Sequence, residues 1–313
     1  MRICVVHTRL GEDLRAELAR RCPGDEVVAV GSGDDPPDPD AVEVVVANTF
    51  RPGLPARCPR LRLLQLTSAG TDQLDGEVVP PGLAVAHAGT VPARAVAEFA
   101  WMGVLALSKD GPGLWRRQAA REWRLASARL VAGTTMVLVG LGHVGREVAG
   151  RARAFDVRVV AVTRSARPSP LADEVVGPGD LAAVAPLADH LVLAAPATEE
   201  TRGLVGPAVV AALPEGAAVV NVGRASLLDT DALVAALRAG RLRGALLDVH
   251  DEEPLPADSP LWDVDGLWVT PHTAFAYPGE AADLAALAAE NVALVRAGRP
   301  PRNAVDRSSP AAG

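Results

Sequence analysis

The sequence predicts an α/β protein built on two doubly wound parallel sheets. Unbroken apolar runs recur along the chain, as in Ile3-Cys4-Val5-Val6 and Met136-Val137-Leu138-Val139. Runs without polar alternation suit strands buried on both faces. Helix-like stretches separate them, and strands alternating with helices imply a parallel sheet covered on both sides. The length, 313 residues, is about two domains' worth.

Taken in order, residues 2–7 read as a strand and 12–21 as a helix. Short apolar runs follow at 26–30, 42–47, 61–66 and 83–86. Turn signals divide them, most clearly at 31–39, which is rich in Gly, Asp and Pro. Residues 91–108 read as a long helix with Pro92 in its first turn, where a missing N–H costs little. Gly111-Pro112-Gly113 ends it. A second series starts at Thr135, with strands expected at 135–140, 157–163, 191–195, 217–221, 244–248 and 267–270 and helices between them. A last helix, 279–297, stops at Gly298 before a proline-rich tail.

Composition narrows the function classes. Apolar residues make up 49% of the chain, enough for buried cores, yet no apolar run reaches the roughly 18 residues of a membrane span. The chain enters a strand-like run at once, without the pattern of a signal peptide, so a cytoplasmic location and no membrane partner are expected. Cys4, Cys22 and Cys58 are odd in number and widely spaced, which argues against a disulfide framework or a metal site. Net charge is −7 and no basic cluster tracks along a helix, so nucleic acid is not an expected partner.

A glycine fingerprint, Gly140-Leu141-Gly142-His143-Val144-Gly145, follows a strand-like run and opens a helix. That context is what dinucleotide binding requires. Gly140 permits the tight turn, Gly142 lets a pyrophosphate approach the backbone, and Gly145 lets helix and sheet pack closely. Preference between NAD and NADP is set about 20 residues on, where an acid usually holds the ribose of NAD. Here Thr163-Arg164-Ser165 occupies that place. Arg164 can pair with a 2′-phosphate and the two hydroxyls can donate to it, so NADP is the expected cofactor, with NAD possible.

Farther on, Asn221-Val222-Gly223-Arg224 follows a strand, where a guanidinium can grip a carboxylate with two parallel bonds. His272, in Thr270-Pro271-His272, is the best acid–base candidate, because imidazole titrates near neutral pH. Glu253 is its expected partner, favouring the protonated ring and fixing its orientation. Pro254 and Leu255 set Glu253 apart from Asp251 and Glu252, which read as solvated.

In this order, from near Leu63 to Ala274, these runs resemble the D-isomer-specific 2-hydroxyacid dehydrogenases. The resemblance implies a Rossmann cofactor domain inserted in a flavodoxin-like substrate domain. The expected parts are 1–97, 98–276 and a C-terminal helix and tail, 277–313, returning to the first. It implies Arg224, Glu253 and His272 as the catalytic set, and an Asp248 that contacts the nicotinamide carboxamide. His143, Val144, Ala195, Pro196 and Val222 join the cofactor residues, and Ala69 and Gly70, in Thr67-Ser68-Ala69-Gly70-Thr71-Asp72, hold the substrate carboxylate through backbone N–H groups. Trp115, Arg116, Arg117, Gln118 and Trp123 resemble the segment that packs two subunits, so a homodimer is expected; the tryptophans could equally anchor the core.

The implied activity is reduction of a small 2-oxo acid to a D-2-hydroxy acid, glyoxylate or hydroxypyruvate being the generic substrate. Two alternatives stay open: a phosphonate or phosphite substrate, with Arg94 as an extra cation, and a non-enzymatic dinucleotide-sensing protein. Glu253 argues against the formate dehydrogenase branch. The chain departs from the family pattern at Ala225, usually Gly, and at His250, often an aromatic.

Overall fold

The structure is a computed structural model and describes residues 1–125 and 128–305. The chain divides into two compact units, Met1–Pro92 with Ala276–Gly313, and Ala93–Phe275. The tail beyond residue 305 lies outside the described residues.

The first unit holds strands β1 (Arg2–Val6), β2 (Glu26–Val30), β3 (Val44–Ala47), β4 (Leu63–Leu66) and β5 (Ala84–Ala86). Helices α1 (Gly11–Arg21) and α2 (Leu54–Arg57) belong to it. The five strands are all parallel, in the order β2-β1-β3-β4-β5. That is the flavodoxin-like order. Successive residues of each strand enter opposite cores. Ile3, Val5, Val44 and Val46 face one, with Leu14 and Leu18 of α1. Cys4, Val6, Val45 and Ala47 face the other, with Phe50 and Leu54. This two-residue alternation between two buried faces explains why the strands read as continuous apolar runs.

The second unit carries helices α3 (Ala93–Ser108), α4 (Gly111–Ala119), α5 (His143–Ala152), α6 (Leu181–Val184), α7 (Pro207–Ala212) and α8 (Thr230–Arg238). Its strands are β6 (Thr135–Val139), β7 (Arg158–Val162), β8 (Glu174–Val176), β9 (His190–Leu193), β10 (Ala218–Asn221), β11 (Gly244–Leu247) and β12 (Leu267–Val269). All seven are parallel, ordered β12-β11-β10-β9-β6-β7-β8. This is the Rossmann order with one further strand, and the order reverses between β6 and β9, where ligands bind in such sheets. Met136 and Leu138 pack with Ala97, Trp101 and Val148 on one face. Val137 and Val139 pack with Leu181, Val210 and Leu233 on the other.

The last helix, α9 (Glu280–Arg296), returns to the first unit. Leu284, Ala285, Ala288, Val292 and Val295 complete the core that holds Ile3, Leu14 and Leu18.

Two elements depart from the sequence reading. Gly111-Pro112-Gly113 does not end α3, which stops at Ser108, but forms the first turn of α4. Asp110 turns the chain in the left-handed region (φ 56), and a proline in the first turn suits a new helix. Edge strand β8 was not expected, since three residues carry too little pattern to read. Cys4, Cys22 and Cys58 are buried free thiols.

His190, on central strand β9, is 1% exposed, and neither ring nitrogen has a partner among the described residues. Burial, reinforced by the Arg243 guanidinium, lowers its pKa from 6.5 to about 4. The unfolded chain therefore binds a proton below pH 6.5 that the native ring refuses, so stability falls as pH drops from 6.5 towards 4. The loss from this one group is on the order of 3 kcal/mol at the bottom of that window. His190→Leu should flatten the fall in Tm between pH 6.5 and 4. A calorimetric Tm profile with unaltered slope would show that His190 does not carry it.

Candidate active site

The glycine turn joins β6 to α5. Gly140 has φ 97, and a Cβ there would stand 2.8 Å from the Ala195 backbone. A Cβ on Gly145 would stand 2.0 Å from the Gly140 carbonyl oxygen, so helix and strand approach as only glycine allows. At Gly142 the space is open, with nothing within 4 Å of a Cβ. His143, exposed, and Val144, half-buried, begin α5. The first N–H groups of a helix lack intrahelical partners and, with the dipole, favour an anion. A close-approach turn, open space and a helix N-terminus together fit the pyrophosphate of a dinucleotide.

Neighbouring strand ends extend this platform. Gly223, after β10, also presses on Ala195, where a Cβ would meet the Ala195 carbonyl oxygen at 2.9 Å. Ala195 and Val222 are buried at the strand ends and Pro196 is exposed beside them. At the end of β7 the Thr163 N–H donates to the Val176 carbonyl at 3.0 Å, while its hydroxyl is buried with no partner among the described residues. Arg164 and Ser165 are exposed, and among the described residues Arg164 makes no ion pair. The acid on the adjacent strand, Glu174, is taken by Arg158 at 2.7 Å.

Arg224 lies in a loop that Asn221 ties from both sides. The Asn221 amide donates to the Arg224 carbonyl at 2.9 Å, and its oxygen accepts from the Gly223 N–H at 3.0 Å. The half-buried guanidinium donates from Nη1 to the Gly223 carbonyl at 2.7 Å. Ala225 is not among the residues with positive φ, so alanine is unstrained where the family has glycine.

His272 and Glu253 meet, with Nδ1 and Oε2 2.8 Å apart. The other carboxylate oxygen, Oε1, accepts from the His250 N–H at 2.9 Å. Burial works to raise the Glu253 pKa, but the His250 N–H and the His272 ring outweigh it, and the carboxyl is held below its ordinary 4.5. The His272 backbone is left-handed (φ 48), a conformation costing a bulky residue on the order of 1 kcal/mol. Asp248 holds that turn. It is fully buried; Oδ1 accepts from the Thr270 hydroxyl at 2.7 Å and the Thr273 N–H at 2.9 Å, and Oδ2 from the Ala274 N–H at 2.9 Å. The Phe275 ring meets the imidazole edge-on, centroids 5.8 Å apart.

The loop with Ala69 and Gly70 belongs to the first unit, after β4. The Ser68 hydroxyl donates to the Gly70 carbonyl at 2.7 Å, and the Gln73 amide ties Ser68 Oγ (2.8 Å) to the Asn48 carbonyl (2.9 Å). Among the described residues the N–H groups of Ala69 and Gly70 donate to no protein acceptor.

The model of the family described as D-isomer specific 2-hydroxyacid dehydrogenase, NAD binding domain, matches residues 101–274. The chain belongs to this family. Among its relatives, a glyoxylate reductase of Aeropyrum pernix is 31% identical over 86% of this chain and 83% of its own. A D-3-phosphoglycerate dehydrogenase of Mycobacterium leprae is 34% identical over 84% of this chain and 50% of its own. A family member from Xanthobacter autotrophicus Py2, solved with NADPH and MES, has a TM-score of 0.86 at 30% identity, covering 97% and 98% of the two chains. The NADPH-dependent glyoxylate/hydroxypyruvate reductase of Sinorhizobium meliloti, solved with NADP and sulfate, has a TM-score of 0.86 at 26% identity over 98% of each chain.

Within this 2-hydroxyacid dehydrogenase the structure adds contacts that sequence did not show. Asp248 spends its carboxylate on the chain; a cofactor carboxamide would have to share Oδ2. Trp115 and Trp123 are no core anchors: Trp115 is half exposed, edge-on to Trp268 at 5.0 Å, and Trp123 is fully exposed. Arg94, in the first turn of α3, is exposed and lies 3.9 Å from Glu147. Sequence reading missed Asn221 and Thr270 as organisers, and the only available signal was their place in Asn-Val-Gly-Arg and Thr-Pro-His.

Proposed function

We propose that this dehydrogenase is an NADPH-dependent reductase of a small 2-oxo acid, glyoxylate or hydroxypyruvate in kind, yielding the D-2-hydroxy acid. The observation that carries it is the His272–Glu253 pair, 2.8 Å apart in the unit that holds the glycine turn. When bound, the nicotinamide supplies the hydride. Arg224 grips the substrate carboxylate with its guanidinium and polarises the adjacent carbonyl. With Nδ1 on Glu253, the His272 ring offers Nε2 to the carbonyl oxygen, where it delivers the proton.

The exposed Arg164 and Ser165 and the unpartnered Thr163 hydroxyl favour the 2′-phosphate of NADP, consistent with the NADPH and NADP bound in related structures. Leu114, Trp115, Trp123, Leu125 and Leu130 expose apolar surface suited to a second copy, so the working enzyme is a cytoplasmic homodimer in this reading.

Steady-state kinetics with glyoxylate and hydroxypyruvate test the assignment. NADPH should show the higher kcat/KM, and a double variant, Thr163→Asp with Arg164→Leu, should move preference towards NADH by about tenfold or more. Lost charge-assisted bonds are worth roughly 1.5–3 kcal/mol. A wild type that prefers NADH refutes the cofactor choice. No turnover of any 2-oxo acid with either cofactor refutes the reductase reading.

A further inference from the structure

His250 touches both arms of the His272–Glu253 pair, and the contacts close a circuit. Its N–H donates to Glu253 Oε1 at 2.9 Å, and Glu253 Oε2 lies 2.8 Å from His272 Nδ1. The His272 N–H donates to the Thr270 carbonyl at 3.1 Å. The same carbonyl lies 3.0 Å from His250 Nε2. A carbonyl oxygen only accepts, so Nε2 is the protonated nitrogen in this contact. Nδ1 is buried without a partner among the described residues, so the ring is committed to Thr270.

The turn that presents His272 needs an anchor at each end. On its far side Asp248 holds the N–H groups of Thr273 and Ala274. On its near side stands Pro271, which has no N–H to tie the turn to anything. Thr270 is tied by its hydroxyl to Asp248 and by its N–H to the Leu247 carbonyl at 3.0 Å, and its own carbonyl, the group joined to Pro271, is held by the His250 ring.

We propose that His250 is a positioning residue, orienting the His272 imidazole through the Thr270 carbonyl while its backbone holds Glu253. This rests on the reading of His272 as the proton donor. The titratable groups around the turn are Glu253, His250 and Asp248, with Asp251 and Glu252 exposed on the same loop.

His250→Phe keeps a ring and the backbone N–H but removes the Nε2 donor. His250→Gln returns an N–H. Reductive kcat, the KM for NADPH and the pH profile should be measured for both, with Tm as a check on folding and His272→Ala as control. The phenylalanine variant should lose about tenfold in kcat, the upper range for one hydrogen bond, with the KM for NADPH unchanged. Its pH profile should differ from that of the wild type, because the imidazole is no longer held in register with Glu253. Glutamine should recover most of the rate. If the phenylalanine variant does not fold, His250→Leu removes the same donor. Wild-type kcat and pH profile in the folded donor-less variant, with His272→Ala inactive, would overturn the positioning role alone. Near-wild-type turnover in His272→Ala would instead overturn the underlying assignment, and this inference with it.

Discussion

His272→Ala should lower kcat for 2-oxo acid reduction by about 10²–10⁴-fold, the usual contribution of a positioned general acid, while NADPH binds as before. The ring follows β12, with Glu253 2.8 Å from its Nδ1. The proposed cofactor features lie elsewhere, at Gly140–Gly145 and Thr163–Ser165, so loss of the imidazole should leave them intact. Titrating NADPH fluorescence alongside single-turnover reduction separates the two effects. Equal loss of cofactor affinity and rate would mean that the substitution disturbs the fold of the turn, and near-wild-type turnover at neutral pH would remove His272 from the chemistry.

Arg224→Lys should cost on the order of 10²-fold in kcat/KM for the oxo acid, from loss of a charge-assisted bond worth about 1.5–3 kcal/mol. The guanidinium donates from Nη1 to the Gly223 carbonyl at 2.7 Å, which orients its plane, and in the proposed role it also grips the substrate carboxylate. An ammonium is a point charge on a flexible stem and can do one of these tasks at a time. Because Asn221 ties the loop through the Arg224 carbonyl and the Gly223 N–H, the backbone should keep its shape in the variant. The check is a paired measurement of kcat and KM for the oxo acid. Unchanged values for both would exclude a carboxylate-gripping role.

Strand positions were legible because parallel sheets bury both faces: Met136 to Val139, and Val44 to Ala47, carry no polar residue to blur the pattern. The cofactor turn was legible because chemistry forces the spacing, with Gly140 and Gly145 standing where a Cβ meets backbone at 2.8 and 2.0 Å. Helix α4 was not, because Gly111-Pro112-Gly113 reads as a breaker until Asp110 is seen to turn the chain first. Nor were the links between distant residues. Asp248 binding the Thr270 hydroxyl, 22 positions away, and His250 holding the Thr270 carbonyl, 20 away, are pairings that no local spacing announces. Sequence named the candidate groups. Their supports are set by the register of β11 against β12, where Leu247 pairs with Val269 and the two strand ends emerge side by side.

The return of α9 to the first core has a consequence for biosynthesis. Leu284, Ala288 and Val292 leave the ribosome after the whole of Ala93–Phe275, yet they cover Ile3, Leu14 and Leu18, which leave before it. The nascent N-terminal sheet must therefore wait with one apolar face only partly covered, by α1, while the whole of Ala93–Phe275 is translated, a span that contains its own cores and can fold in the interval. Translation arrest short of residue 280 would leave a folded cofactor unit tethered to an aggregation-prone, half-covered sheet, a species for chaperones or proteases to recognise.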